Sequence, residues 1–241
     1  MPVRSAVKRR RVRPQLSDEA AMYVRNLIMS GELRPGAFVR PEEIAEQLEI
    51  SSTPAREGLQ SLKVEGFLRL EPRHGFVVLP LDGQDIRDLF IAQALIAGEL
   101  AARVAPEITP EDVIALENLQ KQLIEAAERG DLEAVEETNH VFHREINLLA
   151  DSPKMSWVLG MLTRYVPGLF YPTIEGWSNA SMYDHGAILS AFKARDGKAA
   201  RTAMSEHIMT AGELLATHFD EHKDDSSGRL PNLGTVSRSR A

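Results

Sequence analysis

The sequence contains no cysteine. Disulfides, thiolate zinc sites, iron–sulfur clusters and cysteine nucleophiles are therefore excluded. A reducing cytoplasm suits such a chain, and the expected location is cytoplasmic. The sequence also reads as lacking an apolar run of the roughly 18 residues a membrane span requires, so no membrane partner is expected. Its first 13 residues, MPVRSAVKRRRVR, are basic but have no apolar stretch behind them, which argues against a secretory signal. They read as a flexible basic arm or a solvated tail. A net positive charge is missing too: 28 Lys and Arg face 35 Asp and Glu, a balance of −7. Taken alone, that balance speaks against a nucleic-acid partner.

The charge is unevenly distributed. Residues 1–80 hold 13 basic and 10 acidic side chains, whereas residues 81–241 hold 15 and 25. A basic front and an acidic back argue for a two-part chain, and 241 residues suffice for two modest domains. The front divides again. Its first 17 residues carry six basic side chains and no acid, while residues 18–80 carry 7 basic against 10 acidic. The positive field comes mainly from the arm.

Ser17 is an N-cap candidate, with Asp18 and Glu19 in the first turn of a helix that Gly31 ends. Tyr23, Leu27 and Ile28 mark its apolar side. A second helix is expected from Pro41, with Glu42 and Glu43 at its positive end and Ile44 and Leu48 facing inward. Thr53 is expected to cap a third helix, with Leu59 and Leu62 buried and Gly66 as its stop. Strands FLRL (67–70) and FVVL (76–79) follow, joined by EPRHG. Three helices and a hairpin describe a winged helix-turn-helix, in which the third helix can enter a major groove and the hairpin can reach phosphates or the minor groove.

From Asp82 the strand signals vanish. Helical patterns run over about 85–105, 110–129, 132–150, 153–167, 178–195 and 197–220. Short loops between long amphipathic helices imply an antiparallel bundle. The expected fold is mainly α: an arm over 1–16, a winged helix-turn-helix over 17–80, a linker over 81–85, an all-α domain over 86–222 and a disordered tail over 223–241.

The segment IMSGELRPGAFVRPEEIAEQLEISSTPAREGLQSLKVEGFLRLEPRHGFVV resembles the GntR family of bacterial transcription regulators. The resemblance rests on the LRPG turn, the IAEQL helix, the S-x-T-P-x-R-E start of the third helix, the L-x-x-EGF-L junction and the R-H-G-F-V wing. It implies that Ser51, Ser52, Thr53 and Arg56 touch phosphates and base edges. It places Arg73, His74 and Gly75 at the wing tip, and Arg40 just before the second helix. The family usually has arginine at Ser52 and often at Glu42. Serine cannot hold guanine in a bidentate fashion, so the operator is expected to differ from the family's common one, or affinity to lean on the arm. The helical remainder resembles the ligand-binding domain of the FadR subfamily in its metal-binding FCD form.

The histidines of the helical half make a case of their own. His143 lies four residues after Asn139 on one helix face with Ile146. His185 precedes Ile188, Leu189 and Phe192, and His207 lies between Ala203, Ala211 and Leu214. Each could be a hydrogen-bonded core histidine. Three on three helices also make a ready site for zinc, nickel, cobalt, iron or manganese. The FCD resemblance supplies the ligand set, Asn139, His143, His185 and His207, for a divalent metal ion, zinc first. It implies a small organic acid as effector, taken at open positions on the ion and by a nearby arginine. Gln93 stands near the place of that arginine, and Arg164 is the candidate substitute. His140 reads as a surface or outer position.

Catalysis is not expected. No HExxH spacing is present, and Glu145 turns to another helix face than His143. The expectation is a homodimeric DNA-binding regulator, a repressor on a palindromic operator, whose affinity a carboxylate ligand modulates. A metal-free regulator with core histidines and a metalloenzyme with a vestigial DNA domain are the alternatives.

Overall fold

The computed structural model describes residues 15–166, 174 and 177–222. The basic arm up to residue 14 and the tail from 223 lie outside the described residues. The chain divides at Pro80/Leu81 into two compact units.

The first unit runs α1 (Leu16–Met29), β1 (Phe38–Val39), α2 (Pro41–Leu48), α3 (Ser52–Val64), β2 (Leu68–Glu71) and β3 (Gly75–Val78). Its core comes from apolar residues at helical spacing: Ala20, Val24 and Ile28 of α1 pack with Ala55, Leu59 and Leu62 of α3, all buried. The three strands order β1-β3-β2, both pairings antiparallel. Phe67 and Phe76 are fully buried where sheet and helices meet.

Several local expectations shift. α1 begins at Leu16 rather than after Ser17, because the Gln15 carbonyl accepts from the Asp18 and Glu19 amides. That start also takes the last residue assigned to the arm. Ser51, not Thr53, is the extended N-cap of α3. Thr53 and Pro54 lie in its first turn, where a missing proline N–H costs nothing. The wing hairpin closes tightly: Glu71 pairs with Gly75, leaving Pro72, Arg73 and His74 as the loop. Arg73 and Gly75 both adopt positive φ, 68° and 98°, and a Cβ at Gly75 would stand 2.9 Å from the Val39 carbonyl oxygen. Glycine is thus required there by the backbone.

The second unit runs α4 (Gly83–Glu107), α5 (Pro110–Glu128), α6 (Leu132–Leu149), α7 (Pro153–Thr163), α8 (Trp177–Lys193) and α9 (Gly197–His222). The stretch expected as a linker is mostly the first turn of α4. Asp82 caps the helix, accepting from the Asp85 amide while Asp85 accepts from the Asp82 amide. Thr109 and Asp112 repeat this reciprocal cap on α5. α4 is the core helix, packed along α9 and against α7, α6 and α8. Its composition corrects the reading that no segment is long and apolar enough to span a membrane: an 18-residue window of α4 has mean hydropathy 1.4. Half of that window is buried, as befits a helix surrounded by others.

The register of α4 on α9 is fixed by polar contacts. Ser205 Oγ donates to the Ala94 carbonyl at 3.0 Å. Arg87 donates to Glu213 at 2.9 Å and to Asp220 at 3.0 Å, and Asp220 also accepts from the Gly83 amide. Inside, Leu100, Ala101, Leu116, Phe142, Ile146, Ile188 and Phe192 join one apolar cluster. The three histidines sit beside it, with Phe142 stacked on the His185 ring at 4.1 Å.

Candidate metal centre and nucleic-acid interface

α6, α8 and α9 bring His143, His185 and His207 together. Their candidate ligand nitrogens all lie within 4.8 Å of one another, and the Nε2 atoms of His143 and His207 are 3.1 Å apart. His185 is fully buried, His207 nearly so, and His143 partly. Burial, reinforced by the neighbouring imidazole of His207, holds His143 and His185 well below the usual histidine range. Both are therefore neutral at pH 7, the form that offers a lone pair to a metal.

The orientation of His185 is set from outside. Its Nδ1 lies 2.7 Å from Gln120 Oε1, so Nδ1 carries the proton and donates. Nε2 is left with its lone pair, buried and without a partner. On His207, Nδ1 lies 3.5 Å from Asp184 Oδ2, and neither atom has a hydrogen-bond partner. Asn139 Oδ1, one turn before His143, is likewise buried and unpartnered. Two donors at about 2.1 Å from one ion lie about 3.0 Å apart at an octahedral right angle and about 3.4 Å apart at the tetrahedral angle of zinc. The separation of the His143 and His207 Nε2 atoms therefore suits a metal.

Gln120 and Asp184 were not foreseen from the sequence. Gln120 had a readable signal, since it interrupts the buried stripe Val113, Leu116, Leu123 on α5. Asp184 precedes His185 in the chain but faces His207 on another helix, and that pairing exists only in three dimensions. Outer acceptors of this kind fix the tautomer and direction of a metal-binding histidine, and losing one typically costs 10–100-fold in affinity. Gln120→Leu is accordingly expected to weaken metal binding at least tenfold while keeping the fold. Competition against a chelating dye reads this, and unchanged affinity would remove Gln120 from the site.

Gln93 is buried at 3% exposure on α4, and its Nε2 has no partner. Arg164 stands exposed at the C-cap of α7. Among the described contacts, none joins it to the histidines. His140 is exposed.

In the first unit the expected DNA-facing residues are exposed, except Gly75, which is half-buried. Ser51, Ser52, Thr53 and Arg56 are exposed at the start of α3. Arg56 meets Glu42 Oε1 at 3.5 Å, and Arg40, the N-cap of α2, meets Glu43 Oε1 at 3.4 Å. Arg73 and His74 are exposed in the wing loop, where the His74 Nδ1 meets the Pro72 carbonyl and its ring tilts against Phe38. Arg56 and Arg40 thus each pair with an acid of α2, with no burial to make the pairs strong.

A winged helix-turn-helix joined to a helical ligand-type domain defines a DNA-binding transcription regulator. The comparisons specify it further. The model of the bacterial regulatory proteins, gntR family, matches residues 16–78, and that of the FCD domain matches residues 88–210. This chain belongs to the GntR family, in the branch that carries an FCD domain. It is 28% identical over 195 residues to the HTH-type transcriptional regulator McbR of Escherichia coli K12, covering 79% of this chain and 88% of the relative. It is 29% identical to the HTH-type transcriptional repressor RspR of the same organism, covering 80% and 85%. The solved structure of E. coli McbR/YncC superimposes with a TM-score of 0.65 at 25% identity, over 85% of this chain and 99% of that one. The protein is a regulator, not an enzyme.

Proposed function

We propose that this regulator is a homodimeric repressor whose helical unit holds one divalent metal ion and a small organic or sugar acid, and whose winged units read a palindromic operator. Asn139, His143, His185 and His207 hold the metal, with zinc the first candidate and nickel, iron or manganese the others. The observation that carries this reading is the group of buried donor atoms without partners around three converging imidazoles. The ion supplies a positive charge with open positions for a carboxylate. Gln120 and Asp184 orient the imidazoles.

One observation favours a metal-free alternative. Two Nε2 atoms 3.1 Å apart also suit an N–H···N hydrogen bond. That reading still leaves Asn139 Oδ1 and His185 Nε2 buried and unsatisfied, at about 1–3 kcal/mol each. The metal satisfies both.

The exposed apolar side chains Ile91 and Leu95 on α4 and Trp157 and Met161 on α7, two helices packed together, support a face covered by a second copy. A two-fold dimer presents two reading heads to a palindrome. The acid shifts operator affinity only by binding one arrangement of the heads better than the other. Operator binding places the protein in the bacterial cytoplasm.

Arg56→Ala tests the reading head. On a fragment of its own promoter region, this variant is expected to lose about 1–3 kcal/mol of operator affinity. Wild-type affinity should fall steeply with salt as phosphate counterions are released. Equal binding by the variant, or a flat salt response measured by fluorescence anisotropy, would sink the assignment of this surface.

A further inference from the structure

The reading head carries acids where a nucleic acid is ordinarily met by cations. Residues 18–80 hold 7 basic and 10 acidic side chains. Two of those acids, Glu42 and Glu43, stand in the first turn of α2. There they offset the positive end of the helix, so this N-terminus does not attract a phosphate. Glu42 faces out because Pro41, Ile44 and Ala45 take the buried side of α2. Arg56 faces out of α3 because Ala55, Gly58 and Leu59 are buried. The two helices pack together, and the side chains meet across them, with Arg56 Nη2 at 3.5 Å from Glu42 Oε1. Both remain exposed, so the pair adds little to stability.

A DNA surface that reaches Arg56 also meets Glu42. An ionised carboxylate accepts hydrogen bonds and donates none. It repels a phosphate. Against thymine O4, or guanine O6 and N7, it faces acceptors only. Cytosine N4 is an amino donor on the major-groove edge, and its Watson–Crick partner is guanine O6, one of the two acceptors an arginine fork takes. Those two atoms lie about 2.9 Å apart, the length of the hydrogen bond between them. An arginine fork and a carboxylate 3.5 Å apart match this edge. An A·T pair also offers an amino donor, adenine N6, but puts the lone oxygen of thymine where the fork needs the O6 and N7 of guanine.

Resting on the reading of Arg56 as DNA-facing, we infer that Glu42 is a specificity-determining residue of the reading head: with Arg56 on guanine, its carboxylate accepts from N4 of the paired cytosine. Glu42 adds selectivity more than affinity, because it rejects phosphates and every base pair that turns an acceptor toward it.

Selection of bound duplexes from a randomised library tests this on full-length wild type, Glu42→Gln, Arg56→Ala and a charge-matched control, Glu32→Gln, whose glutamate is exposed in the loop after α1. Wild type is expected to enrich half-sites containing a C·G pair. Glu42→Gln should relax the preference at that one position, with cytosine falling roughly fivefold. It should also bind a sequence-unrelated duplex about threefold tighter, with a steeper salt dependence. Glu42→Ala should relax the same position, and it replaces the glutamine variant if that one misfolds. Glu32→Gln should keep the wild-type preference. An unchanged cytosine preference in Glu42→Gln, a relaxation spread over the whole half-site, or the same relaxation in Glu32→Gln overturns the inference. Arg56→Ala separates it from the reading on which it rests. If that variant keeps wild-type operator binding, the assignment of the surface fails and Glu42 falls with it. If that variant loses binding while Glu42→Gln is silent, only the role of Glu42 fails.

Discussion

His185→Ala is expected to reduce bound metal from about one ion per chain to background, read by elemental analysis of untagged protein never exposed to a chelating resin. The magnitude follows from where His185 sits. It is fully buried, its Nδ1 is committed to Gln120, and its Nε2 faces the other two imidazoles with no alternative partner. Alanine removes one of three nitrogen donors and leaves a void beside Phe142. In wild type, metal present at about a thousand times its dissociation constant adds roughly 4 kcal/mol to stability. For a unit of this size each kcal/mol corresponds to about 2–4 °C. Chelation should therefore lower the melting temperature of wild type by roughly 10 °C and leave His185→Ala unmoved. A wild-type protein that carries no metal and does not respond to chelation would reduce the three histidines to a hydrogen-bonded cluster.

Much of this arrangement was legible in the chain because its signals are local. Thr109-Pro110, Asp131 and Ser152-Pro153 announce helix starts through capping and proline chemistry, and α5, α6 and α7 begin immediately after them. The apolar spacing around His185 and His207 pointed inward, and both are buried. The failures lie where the determinant is remote. β1 is two residues long and exists because Val39 pairs with Phe76, nearly forty positions later. The early start of α4 depends on Asp82 finding Asp85, within a stretch whose glycine and aspartates read as a loop. The chain offers no uninterrupted apolar run of span length because Glu99 and Arg103 break the run in α4, yet the two pair with each other and an 18-residue window of the helix still reaches a span-like hydropathy. Gln120 and Asp184 belong to the site through contacts between helices, which no spacing rule within one helix records.

Gly58→Ala is expected to disable the reading head while sparing the helical unit. Helix propensity alone predicts the opposite sign, since alanine in a helix interior is favoured over glycine by about 1 kcal/mol. Packing decides against it. A Cβ at Gly58 would stand 2.6 Å from the Ser17 carbonyl oxygen and 2.9 Å from both the Ala20 Cβ and the Ala21 amide nitrogen. Two of these three atoms are backbone of α1, and no side-chain rotation relieves them. α1 must move away from α3, opening the contact through which Ala20, Val24, Leu59 and Leu62 are buried. Overpacking of this kind costs roughly 3 kcal/mol, which exceeds the propensity gain. A unit of this size has only about 3–10 kcal/mol in total. Operator affinity should fall more than tenfold, and the melting transition of the winged unit should drop by roughly 10 °C or more. Metal content should stay at the wild-type level, because the histidines belong to the other unit. Wild-type operator binding by Gly58→Ala would show that α1 does not press on α3 this closely. Loss of metal in the same variant would mean that the two units do not fold independently.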